Sequence, residues 1–134
     1  MTDLGTLPGD VTSAGISINN RGQITGVSGD AYGNFIRGYL WENGVMTDLN
    51  TLIPADSPWY ILHGFGINDE GQIVGFAVQT EPPFEVHGFL ATPIGNSSAA
   101  GGTRAKVPLP ENARKQLLLY LHTHRFGLQV AAPK

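Results

Sequence analysis

Few side chains in this sequence carry obvious chemistry. There are four histidines, His63, His87, His122 and His124. His122 and His124 are two apart, and positions two apart diverge on a helix, so they make a poor metal pair. The chain has no cysteine, which removes disulfides, thiol nucleophiles and Cys-based zinc sites. Gly26-Val-Ser-Gly-Asp30 lacks the final glycine of a nucleophile elbow. No glycine-rich phosphate loop precedes a helix. A glycosidase would need two converging carboxylates, yet Asp30, Asp56, Asp69 and Glu70 fall in turn-like stretches. The sequence therefore assigns no catalytic residue, no metal ligand and no cofactor. The candidates for ligand contact are aromatic: Tyr32, Trp59 and Tyr60. Trp59 and Tyr60 follow an enlarged loop at 53–58, which an earlier stretch matches only with Pro8-Gly9-Asp10. Exposed aromatic planes stack on sugar rings or anchor protein partners. Packing between sheets is their competing role.

The elements that must position these residues recur along the chain. Met1-Thr-Asp-Leu-Gly-Thr-Leu7 returns as Met46-Thr-Asp-Leu-Asn-Thr-Leu52. Ile18-Asn-Asn-Arg-Gly-Gln-Ile-Thr-Gly26 returns as Ile67-Asn-Asp-Glu-Gly-Gln-Ile-Val-Gly75. Arg37-Gly-Tyr-Leu40 returns as His87-Gly-Phe-Leu90. The offsets are 45, 49 and 50, so the order is kept while loops grow. Repeat one covers about 1–44 and repeat two about 45–95. Each reads as four short strands: 1–4, 14–18, 23–28 and 35–41, then 45–49, 62–67, 72–78 and 85–91. The Asn-Asn-Arg-Gly and Asn-Asp-Glu-Gly tetrads are turn sequences, with Asn first and glycine where positive φ is needed. They lack the alternating Asp series of a calcium loop.

Side chains alternate across a strand. Ile73, Gly75 and Ala77 share one face, and Val74, Phe76 and Val78 the other. Both faces are apolar, which predicts a sheet covered on both sides. His63 and His87 take the slots of Ala14 and Arg37 in the other repeat, which suits half-exposed strand positions. The fold class is all-β. Two four-stranded antiparallel sheets of the propeller-blade kind fit first, and a two-sheet β-sandwich second.

The three recurring elements together resemble the HAF family of bacterial repeats, over about residues 1–95. The resemblance implies an extracellular repeat protein with no assigned activity. Arg37-Gly38-Tyr39 and His87-Gly88-Phe89 stand where the family has His-Ala-Phe, and Leu49-Asn-Thr-Leu-Ile-Pro54 departs from its Leu-Gly-Thr-Leu-Gly-Gly stretch.

Residues 96–109 read as a flexible linker. Residues 110–134 read as a basic tail with a helix at about 111–124, whose apolar stripe is Ala113, Leu117, Tyr120 and Leu121. Charge divides along the chain. Residues 1–100 carry ten acids against Arg21 and Arg37, a net −8, and residues 101–134 a net +5. The acidic body argues against nucleic acid as a partner. No apolar run approaches a membrane span, and the first residues show no signal peptide. Because two blades cannot close a ring, the expectation is self-association, additional repeats, or closure of the last sheet by the strand at 1–4. The functional reading is a non-enzymatic surface or interaction module that binds glycan or protein through loops. The alternatives are a repeat enzyme of the glycosidase or lyase type, and a piece of a longer repeat protein.

Overall fold

The computed structural model describes residues 1–94 together with Glu111, Arg114 and Lys115. Seven strands follow in order: β1 (Thr12–Ile18), β2 (Ile24–Gly29), β3 (Ile36–Glu42), β4 (Val45–Asp48), β5 (Trp59–Ile67), β6 (Ile73–Gln79) and β7 (Val86–Ala91). They form two antiparallel sheets, β1-β2-β3-β4 and β5-β6-β7. The sheets meet through β5, which lies against β1, β2 and β3, an arrangement that a two-sheet sandwich fits. The architecture is therefore all-β.

The turns explain the recurring motifs. Asn19 Oδ1 accepts the Arg21 and Gln23 amides, and Gly22, at φ +75°, donates its amide to the Asn19 carbonyl. Asn68, Gly71 and Gln72 build the matching turn between β5 and β6. The two turns clasp each other. Asn19 Nδ2 donates to the Asn68 carbonyl at 2.8 Å, and Asn20 donates its amide and Nδ2 to Asp69 at 2.9 and 2.7 Å. β3 and β4 join through Asn43-Gly44, both at positive φ, as a two-residue hairpin requires.

Register places motif residues at matching points. Gly26 pairs with Tyr39 on sheet one, and Gly75 with Phe89 on sheet two. A Cβ on either glycine would run into the neighbouring strand's backbone and the paired ring. The Ile-x-Gly ending thus admits an aromatic ring under a close strand.

The core forms two clusters, one on each face of sheet two, and each takes in side chains from sheet one. Tyr60, Leu62 and Val78 pack with Ile36, Phe76, Phe84 and Val86. Leu49, Ile61, Ile73 and Ala77 pack with Leu40, Ile53, Trp59 and Phe89. Close approach of the layers needs Gly38, whose Cβ would lie 3.0 Å from Ile61, 3.1 Å from Leu49 and 3.2 Å from the Gly64 amide.

Several expectations change. Residues 1–4 were predicted as a strand, and none forms there. Asp3 Oδ1 instead accepts the Gly5 amide, and Gly5 takes φ +79°. That turn carries the segment over the outer face of sheet one, where Leu4 sits beside Gly15. These residues therefore do not close the second sheet. That sheet has three strands among the described residues, not four. Its two faces are not both covered: Val74 is 48% exposed and Leu90 62%. β5 starts at Trp59, three residues before the expected strand. The strand at 45–49 ends at Asp48, because Asp48 Oδ1 caps a 3-10 turn by accepting the Asn50 amide. Glu111, Arg114 and Lys115 are helical, and Arg114 donates to Asn34 Oδ1 at 2.9 Å. The linker at 96–109 and the remainder of the 111–124 helix lie outside the described residues.

Candidate binding cleft on the second sheet

An open cleft of about 390 Å³ lies on sheet two beside β7. Ile53 and Ser57 line it from the loop before β5, Trp59 and Ile61 from β5, Ala77 from β6, and His87 to Ala91 from β7. The lining has no carboxylate. Its ring pair is Trp59 and His87, with centroids 4.9 Å apart and planes tilted by 38°. His87 Nε2 lies 3.1 Å from Glu85 Oε2, and both side chains are about half exposed.

The site forms where register requires it. Ile61, Ala77 and His87 are cross-strand partners, and so share one face. Trp59 precedes Ile61 by two and points the same way. Tyr60, between them, points oppositely. It is 1% exposed and packs with Leu62 and Val78. The structure therefore separates two of the three predicted contact residues. Trp59 lines the cleft, and Tyr60 belongs to the core. The third, Tyr32, is 80% exposed in the β2–β3 turn, away from the cleft. That turn is held by Asp30, whose carboxyl sits below its ordinary value mainly because it accepts the Phe35 amide.

The corresponding place on sheet one is filled. Arg37 holds the register position of His87, and Ser28 that of Ala77. Arg37 Nε donates to Asp10 Oδ2 at 3.1 Å, Nη1 lies 3.4 Å from Asp48 Oδ2, and Nη2 donates to the Pro8 carbonyl at 2.9 Å. Ser28 donates to Asp10 and accepts the Leu7 amide. All three charged side chains are at most 3% exposed. Burial opposes charge on Arg37, but the Asp10 hydrogen bond and the two carboxylates raise its pKa above the ordinary value. Sequence reasoning did not find this cluster, because Asp10 is brought to Arg37 only by the path of the N-terminal segment. The signal available was the Arg37/His87 difference between matched slots.

His63 is also not half-exposed. It is 8% exposed, its Nδ1 lies 3.0 Å from the Gly64 carbonyl, and its ring stacks on Phe65 at 4.0 Å. Burial pulls its pKa below the ordinary histidine value, only partly countered by that carbonyl. Among the described residues no three His, Asp or Glu side chains converge as a metal site would require. No helix among them is long and apolar enough to cross a membrane.

No family model, curated protein or solved structure matches this chain.

Proposed function

We propose that this protein is a non-enzymatic interaction module whose two sheets are propeller-type blades of the HAF-repeat kind. In this reading the cleft beside β7 receives an extended polypeptide strand. The observation that carries it is the pairing of two features in one place. β7 is an edge strand with a partner only on its β6 side among the described residues, and the cleft beside it is lined by Trp59, Ile53, Phe89 and Leu90. An open edge offers main-chain hydrogen bonds, and adjacent apolar pockets select alternate side chains of the incoming strand. The absence of a carboxylate from the lining favours binding over glycosidase chemistry, which needs two.

Trp59 supplies the test. Trp41 is the only other tryptophan, so W41F leaves Trp59 as sole reporter. Extended peptides with alternating apolar residues should shift its fluorescence saturably, and H87A should weaken the response. Saturable shifts with soluble oligosaccharides, and none with peptides, would replace the strand reading with a glycan one.

A further inference from the structure

The contact between the two sheets contains the pattern for a contact between two molecules. We infer that the strand received at β7 is residues 1–3 of a second copy of this chain, whose β1 then covers the exposed face of sheet two. This rests on the strand-binding reading and names its ligand.

The inference starts from what β4 and β5 do to sheet one. β4 pairs with β3 through Tyr39–Asp48, Leu40–Thr47 and Trp41–Met46. β5 lies over the sheet with Gly64 on Thr25 and Ile61 on Gly38. Thr25 is consequently fully buried. At the matching places on sheet two stand Val74 for Thr25, Leu90 for Leu40 and Gly88 for Gly38. Val74 and Leu90 are exposed. A Cβ on Gly88 would meet only the Gly75 carbonyl, at 3.8 Å, where Gly38 is crowded on three sides. Sheet two thus presents the surface that sheet one buries, with Val in the place of the near-isosteric Thr.

The opposite end of the molecule presents the missing cover. Met1, Thr2 and Asp3 are exposed, as are the first five residues of β1. Met1-Thr2-Asp3-Leu4 repeats Met46-Thr47-Asp48-Leu49. Gly15 stands in the sequence where Gly64 does, 49 residues later. The two acidic residues are held alike: Asp3 Oδ1 accepts the Gly5 amide, and Asp48 Oδ1 the Asn50 amide. Asp48 offers its other oxygen to Arg37. Carried across, Asp3 pairs with Phe89, Thr2 with Leu90 and Met1 with Ala91 of the first copy. Asp3 then brings a carboxylate to His87, as Asp48 does to Arg37. Leu4 stays on its own sheet beside Gly15, just as Leu49 packs on the sheet that follows it. No strand needs to unfold.

The chain's own next residues are poorly suited to the place. Pro93-Ile94 follows β7 where Asn43-Gly44 follows β3. Proline cannot take the positive φ of that two-residue turn. Gly-Asn-Ser-Ser at 95–98 shares nothing with Val-Met-Thr-Asp at 45–48.

The joint is head-to-tail, so it can be interrupted from either side. Light scattering of the full chain over a rising concentration series should show at least twice the mass of one chain. Thr2→Pro removes a ladder amide from the head, at an exposed residue. Gly88→Val fills the tail surface, where the single chain has room. Each alone should return the mass to that of one chain. Mixed, they should form a one-to-one dimer and nothing larger, because one intact joint remains. D3A should raise the concentration for half-association several-fold. A one-chain mass at every concentration, or a larger mass that neither variant lowers, overturns the second copy as occupant. If peptides still shift Trp59 fluorescence in that case, strand binding stands and only its proposed ligand falls. If peptides are silent while both variants abolish assembly, the second-copy joint stands and the general peptide reading falls.

Discussion

Sheet one and sheet two share a register but not a fate at one position. At Arg37 the space is filled by Asp10, Asp48 and Ser28 and closed to solvent. At His87 the same space is an open cleft beside Trp59. The difference comes from what lies next to each sheet. Sheet one has β4 at its edge and the N-terminal segment over its face, and each delivers one carboxylate. Sheet two has the loop at 53–58 over its face and no strand beyond β7 among the described residues. A buried guanidinium is tolerated only where carboxylates are built around it. An exposed imidazole has no such need. The pair teaches that one strand framework can serve as core or as site, depending on whether neighbouring chain arrives.

The largest expected effect breaks the closed side. Arg37→Ala leaves Asp10 and Asp48 buried without their cation and should cost about 3–5 kcal/mol of stability. His87→Ala, at the exposed counterpart, should stay within about 0.5 kcal/mol. Urea unfolding of the two variants measures the contrast directly, and equal losses would end it. Next comes the glycine pair. Gly38→Val must push Ile61 and Leu49 apart and should destabilise by about 1–3 kcal/mol. Gly88→Val should leave the single chain's midpoint unchanged.

A smaller effect tests the buried histidine of sheet two, for which sheet one has alanine. His63 resists protonation when folded, whereas in the unfolded chain it titrates near 6.5. Above that pH it is neutral in both states and nothing is lost. As pH falls below it, the unfolded chain takes up a proton that the folded chain refuses, so stability drops until the lowered folded pKa is passed. Thermal scans from pH 7.5 to 5 should show that decline in the parent and a shallower one in His63→Phe, which keeps the ring contact with Phe65. The smallest effect concerns the clasp between the turns. The Asp69 carboxyl lies below its ordinary value, chiefly because it accepts the Asn20 amide. Its contribution is present above the unfolded carboxyl pKa and fades as pH falls through the lowered folded value. Asp69→Ala should therefore lower the melting temperature slightly at neutral pH, with the gap to the parent closing in acid.

Much of this was legible from residue order. The Asn-x-x-Gly-Gln turns, the alternation in β6 and the matched Gly-aromatic slots follow from local rules, because a turn or a pleat is decided within a few residues. The position of Trp59 beside the enlarged loop was legible, and the structure puts it in the cleft lining. Tyr60 is not separable from Trp59 in sequence, because the residue pattern starts that strand at residue 62. Moving that start to 59 puts adjacent residues on opposite faces and sends Tyr60 inward.

Residue order by itself determined that seven strands form, the two Asn-x-x-Gly-Gln turns and the two faces of β6, since these depend on alternation and on side chains that bond their own backbone. Tertiary structure alone decided that Asp3 begins a turn instead of ending a strand, that Asp10 reaches Arg37, and that Val74 and Leu90 remain uncovered. Those outcomes depend on which surface a segment meets after the chain has crossed the molecule. Two stretches as alike as Met1–Leu4 and Met46–Leu49 can differ in fate because only one of them lies beside an open strand edge.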